Sequence, residues 1–271
     1  MSGCDPFEYC AGYIKLVDCR HSMHVTMCDY VPPAGPRIDR VNEHCYYVRS
    51  TSEIRFYEHG ESGTKRDHDR SVKRAFSNLK KLINCNYDTP ANVRFITLTY
   101  AENMRDNSRI SDDWRRFLRR CKGRYGSFRW LYVKEQQGRG AWHLHCLLFF
   151  DGRAPYMDND EVRGMWGYGF VNVRAVKGDA NNLGHYLCAY LTDDEETHKK
   201  GSRLSNYDAG VRLYNCSRDI RRPAEQVISF ERYLDMLHDD ELVALSDRDY
   251  VVQSPGHAKR HVRYQIFRTL H

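Results

Sequence analysis

The chain has 271 residues, 41% apolar and 13% aromatic, enough to close a folded core and too much for an intrinsically disordered chain. A formal charge of +6 leans toward a polyanionic partner. No apolar run approaches the ~20 residues of a membrane-spanning helix, and Asp5, Glu8 and Asp18 stand where a secretion signal would be basic and then apolar, so the expected location is cytoplasmic.

Residues 1–66 mix Cys, His and Tyr with Pro32-Pro33-Ala34-Gly35-Pro36 and show no sustained period. They read as an N-terminal extension of irregular structure, with short strands at His44–Ser50 and Glu53–His59. Cys4, Cys10, Cys19 and Cys28, with His21 and His24, are the residue types of a zinc knuckle, but no C-x-x-C pair occurs among them. Cys85, Cys121, Cys146, Cys188 and Cys216 fall singly inside apolar elements, as small buried hydrophobes of a reduced thiol population.

A helix is expected over Asp69–Asn84, where Val72, Ala75/Phe76, Leu79 and Leu82/Ile83 recur at helical spacing. Arg94–Tyr100 alternates and is rich in β-branched residues, a strand. Ser111–Cys121 reads as a helix with Trp114, Phe117, Leu118 and Cys121 inward, Asp112 and Asp113 in its first turn, and arginines in its last. Strands follow at Phe128–Gln136 and Trp142–Phe150, then a helix at Asp158–Trp166 and a strand at Gly169–Val176. The order is βαββαβ. Joined by short crossovers it gives an α+β, ferredoxin-like sandwich: a central four- to five-stranded antiparallel sheet with helices packed on one face. Residues 67–222 hold this domain, and 223–271 form a C-terminal extension with a helix over Glu225–His238.

His143 and His145 flank Leu144 on the third of these strands. Alternation points both the same way, about 7 Å apart, from an otherwise apolar element. A satisfied pair of histidines and a divalent metal site are both open readings, imidazole being the commonest protein ligand for metals. Glu135 ends the preceding strand, and a hairpin through Gly138 and Gly140 returns it beside the histidines, which would complete a two-His-one-Glu set. Strands one and three are central neighbours in this topology, so Thr97 or Thr99 would stand beside the histidines. About forty residues downstream, Tyr186 and Tyr190 share one face of a helix expected over Asn181–Leu191. A phenol has an ordinary pKa near ~10 and attacks a phosphodiester poorly unless a cation polarises the phosphate. The His-x-His strand and the paired tyrosines together suggest metal-assisted phosphoryl transfer. Arg115, Arg116, Arg119 and Arg120 form a basic helix face suited to phosphates.

These residues resemble the HUH endonucleases, specifically the rolling-circle replication initiators of small phages and plasmids, over roughly residues 70–222. Phe95-Ile96-Thr97-Leu98-Thr99-Tyr100 looks like the first family motif, Glu135 with Gly140-Ala141-Trp142-His143-Leu144-His145 like the second, and Tyr186-Leu187-Cys188-Ala189-Tyr190 like the third in its two-tyrosine form. Trp166-Gly167-Tyr168-Gly169-Phe170-Val171-Asn172-Val173 is similar to a stretch these proteins often carry before the third. The resemblance implies a Mg²⁺ or Mn²⁺ ion held by His143, His145 and Glu135. It also implies nicking of single-stranded origin DNA through a 5′-phosphotyrosine, work alongside a host helicase and DNA polymerase, and a bacterial cytoplasm. Many relatives place a lysine three residues after the first tyrosine, where Ala189 stands here, so Tyr190 shares with Tyr186 the candidacy for first nucleophile. Joining through a phosphotyrosine requires no ATP, in keeping with a sequence that has no G-x-x-x-x-G-K-[ST] loop. Two alternatives stand beside this reading. One is a relaxase or transposase with the same chemistry, and the other a non-catalytic single-stranded nucleic-acid-binding module.

Overall fold

The computed structural model describes residues 12–30, 38–42, 44–49, 51–56, 65–136, 140–176, 212–253 and 259–269. It divides into two compact units, one made from both ends of the chain (Met1–Lys65 with Ala224–His271) and one from the middle (Arg66–Pro223).

The unit built from the ends contains β1 (Tyr13–Asp18), β2 (Ser22–Cys28), β3 (Ile38–Arg40), β4 (Cys45–Val48) and β5 (Glu53–Phe56). From the other end come β11 (Ala224–Ile228), a helix at Phe230–Leu237, β12 (Leu242–Val252) and β13 (Arg260–Thr269). One antiparallel sheet runs β11-β1-β2-β13-β12, and a second, of three strands, runs β3-β4-β5. The segment read from sequence as irregular therefore carries two ladder strands, whose partners lie more than two hundred residues away: Ile14 faces Ile228, and Val25 faces Gln265. Ile14, Leu16, Val25 and Met27 pack with Ile228, Tyr233 and Phe267. The helix expected over Glu225–His238 is corrected as well. Its first residues are β11, and the helix starts only after Ser229, whose hydroxyl accepts from the Arg232 amide. No zinc knuckle forms among the described residues. His24 Nδ1 instead lies 2.6 Å from the Tyr264 hydroxyl, and Cys4 and Cys10 lie outside the described residues.

The middle unit opens with α1 (Lys65–Asn86) and a short 3₁₀ turn at Pro90–Asn92. There follow β6 (Val93–Thr99), α2 (Asn107–Tyr125), β7 (Arg129–Gln136), β8 (Trp142–Phe149), α3 (Asn159–Trp166), β9 (Val171–Ala175) and β10 (Tyr214–Cys216). The sheet order is β10-β7-β8-β6-β9, antiparallel throughout. This is the α+β, ferredoxin-like arrangement expected from βαββαβ, widened by β10, with β8 at its centre.

The helices sit on both faces, not on one. Ile96, Leu98, Leu144, Cys146 and Leu148 pack with Trp114 and Phe117 of α2 and Val162 and Trp166 of α3. The alternate residues Phe95, Leu131, Val133, Leu147 and Phe149 pack with Val72, Phe76, Leu79 and Ile83 of α1. Leu79 and Ile83 are fully buried, each contributing roughly 1.5–3 kcal/mol by its removal from water. Because successive strand residues face opposite ways, this split fixes which side each polar residue of the sheet must take. The helix α2 is longer than its periodic core. Asp106 caps it by accepting from the Ser108 amide, and Gly126 ends it at φ 84°.

Candidate functional site

The register places the sequence-predicted residues in rows across the sheet centre. Thr99 faces His143, and His143 faces Glu135 on its other side. One step along, Asn172, Thr97, His145 and Val133 form the next row. These residues alternate with Leu144 and Cys146, so they lie on the α1 face of the sheet. The apolar residues under α1 occupy the same face further along β8, and the histidines follow where that core ends.

His145 is 1% exposed and Glu135 12%, and their Nε2 and Oε2 atoms are 2.7 Å apart. A carboxylate only accepts, so His145 donates from Nε2. Its Nδ1 lies 3.4 Å from the Thr97 hydroxyl, and the ring stacks on Phe95 with centroids 5.9 Å apart and planes 12° apart. Thr97 and Phe95 thus hold the imidazole from the β6 side while Glu135 meets it from the β7 side. His143 is half-buried in the row of Glu135 and Thr99.

The three side chains are the donor types of a hard-cation site and share a face. They do not converge as a finished ligand set: among the described residues no group of three His, Cys, Asp or Glu is arranged to hold a metal ion. The direct bond between Glu135 and His145 uses atoms that a cation would take.

The end of β6 beside His143 is held by a segment whose role the sequence reading missed. The Trp166 indole donates to the Thr99 carbonyl at 3.0 Å. Thr99 donates its amide to the Phe170 carbonyl at 2.9 Å, and Ala101 to that of Tyr168 at 2.8 Å. Gly169 is required here: a Cβ would stand 2.4 Å from the Thr99 oxygen and 2.5 Å from the Ala101 nitrogen. The signal was the glycine between two aromatics in Trp166-Gly167-Tyr168-Gly169-Phe170.

Behind this clamp Asp113, fully buried, accepts from the Tyr100 hydroxyl and from Arg109 and Arg116, each at 3.1 Å. Burial, with Asp113 beside it, pushes the Tyr100 phenol well above its ordinary pKa, so it stays a neutral donor. Asp113 is therefore the anchor of a buried network and not the exposed first-turn acid that the sequence suggested.

The four arginines are not brought to the histidines. They ride α2, which covers the opposite face of the sheet. Arg115 is held by Asp112, Arg116 reaches Asp113 and the Tyr168 hydroxyl, Arg120 donates to the Met165 carbonyl at 2.7 Å, and Arg119 is exposed. Tyr186 and Tyr190 lie outside the described residues. No helix among the described residues is long and apolar enough to cross a membrane.

No curated protein and no solved structure matches the chain. Residues 93–195 match a family model, that of the replication-associated protein ORF2. The match begins at the first residue of β6, covers the row of Thr99, His143 and Glu135 and the clamp behind it, and runs past Tyr186 and Tyr190. Over this stretch the chain is similar to replication-associated proteins.

Proposed function

We propose that the chain initiates rolling-circle replication as an HUH-type nuclease, nicking and rejoining one strand at an origin through Tyr186 and Tyr190. The observation that carries the reading is the pair of rows on one face at the sheet centre, where Glu135 touches His145 and His143 stands between Glu135 and Thr99. Support comes also from the similarity of residues 93–195 to replication-associated proteins.

Mg²⁺ or Mn²⁺, taken up by Glu135, His143 and His145 in exchange for the Glu135–His145 bond, would polarise the scissile phosphate and offset its developing charge. Thr97 and Phe95 fix the His145 ring so that its Nε2 points toward Glu135. A tyrosine hydroxyl attacks the phosphorus and loses its proton. The phosphotyrosyl bond forms as the P–O3′ bond breaks, and the departing 3′-oxygen gains a proton to become a free hydroxyl. A host polymerase extends that end beside a host helicase. The second tyrosine cuts the regenerated origin, and the new 3′-hydroxyl attacks the first phosphotyrosine, restoring the diester without ATP.

The test is cleavage of a single-stranded origin oligonucleotide, with the covalent adduct resolved on a denaturing gel. Chelator, His143→Ala and His145→Ala should each lower cleavage by about a hundredfold or more, while DNA binding persists. Mn²⁺ or Mg²⁺ should restore the chelated protein. The Tyr186→Phe/Tyr190→Phe variant should form no adduct. Undiminished cleavage in chelator removes the metal site, and an adduct formed without either tyrosine removes the mechanism.

A further inference from the structure

The row through Thr99, His143 and Glu135 continues across β6 to Phe170. Leu98 faces Val171, and the next step is the Thr99 amide bonded to the Phe170 carbonyl. Val171 is buried against the α2–α3 side, so Phe170 takes the other face, that of the histidines. It is 59% exposed, an apolar ring presented to water beside polar groups. Loose backbone is not the reason: the close packing of Gly169 on Thr99 and Ala101 pins the residue before it, and buried Val171 pins the one after. Asn172 and Arg174 follow on the same face, beside Thr97 and Phe95, with Asn172 half-buried and Arg174 exposed.

A phenyl ring, an amide and a guanidinium alternate with inward valines along β9. That combination suits a single nucleic-acid strand, with a π-face for a base, an amide for a base edge and a cation for a phosphate. Two strand spacings, roughly 10 Å, separate Phe170 from His143 across the sheet.

We propose that Phe170, Asn172 and Arg174 form the groove that holds the strand leading into the phosphate site, with Phe170 stacking on a base next to the phosphate engaged at His143 and Glu135. The inference rests on the nicking function proposed above and identifies positioning residues for it. Clamping the base would fix where the backbone crosses the histidine row, and so which phosphate is cut.

The experiment measures binding of a fluorescently labelled single-stranded oligonucleotide to the full chain by anisotropy. It is run in chelator and, on the Tyr186→Phe/Tyr190→Phe background, in Mn²⁺. Phe170→Ala should weaken binding roughly 5- to 150-fold, the equivalent of one lost base stack. Phe170→Trp should retain affinity, and its added indole fluorescence should be quenched by the oligonucleotide. Arg174→Gln should reduce the slope of log affinity against log salt by about 0.7, one single-strand phosphate contact. Tyr156→Ala is the control. Tyr156 is 83% exposed, but it follows the far end of β8 and should leave affinity unchanged. If Phe170→Ala binds like the wild type, which itself nicks, the groove is wrong and the nuclease reading stands. A wild type that binds single strands through Phe170 but never nicks keeps the groove and ends the nuclease reading. A wild type that binds no single strand ends both.

Discussion

Asp113 shows how a single side chain was misread and what depends on it. Its place in a run of polar residues, Ser111-Asp112-Asp113, suggested an exposed acid favouring the helix N-terminus, and such a run contains nothing to distinguish a solvated aspartate from a buried one. The helix actually starts a turn earlier at Asp106, which rotates Asp113 onto the sheet, where three donors meet it. Asp113→Ala would leave the buried Tyr100 hydroxyl without its acceptor, while Arg109 and Arg116, 40% and 54% exposed, could turn to water. The expected loss is therefore about 1–3 kcal/mol, the cost of one stranded buried group, and not that of a fully buried ion pair. Urea unfolding measures it. Asp113→Asn, which keeps an acceptor for Tyr100, should recover a good part of the loss, and equal losses for both variants would show that the charge matters more than the hydroxyl. The histidines were easier to read. Strand alternation alone put His143 and His145 on one side, and the hairpin put Glu135 beside them. The 2.7 Å contact to Glu135 comes from His145 and not from its register partner, however, and only coordinates reveal that diagonal.

The elements from β6 to β9 were legible because each carries its own signal: alternation with β-branched residues in the strands, and capped amphipathic stretches in the helices. Their assembly was legible because βαββαβ leaves few antiparallel solutions. Sequence could not assign α1 to a face, since its apolar stripe names no partner. With α1 on the histidine face and α2 on the other, the arginine helix is separated from the phosphate site by the whole sheet. A short oligonucleotide held at the histidine row cannot touch both. Neutralising Arg115, Arg116, Arg119 and Arg120 should then leave the salt dependence of binding unchanged for a short strand and flatten it for a long one that wraps around the domain edge. Anisotropy titrations across a salt series, with substrates of two lengths, decide this. A flattened slope for the short strand would place phosphates against α2 itself, and no change for either length would make these arginines purely structural partners of Asp112, Asp113 and Met165.

Across the whole molecule, legibility followed contact distance. The middle unit pairs strands close in sequence, whereas β1 and β2 find β11 and β13 only at the other end of the chain. The alternation was present in Tyr13–Asp18 and Ser22–Cys28, but cysteines and histidines drew attention to metal chemistry, and no local feature of β1 announces a partner at residue 228. The same topology makes the end unit vulnerable from either side. A chain stopped at Pro223 lacks β11, the helix at Phe230–Leu237, β12 and β13, which leaves β1 and β2 paired only with each other. A lone two-stranded hairpin is marginal in water, and this one would expose Ile14, Leu16, Val25 and Met27 once Ile228, Tyr233 and Phe267 are gone. Residues 12–28 should become cleavable by a low dose of protease in the shortened chain while resisting it in the full one. The sheet of β6 to β10 has all its ladder partners between residues 93 and 216, so its amides should keep their protection from hydrogen exchange. Persistent resistance of residues 12–28 would mean that the first two strands hold without the last two. Loss of protection in the middle sheet would mean that the two units depend on each other for folding.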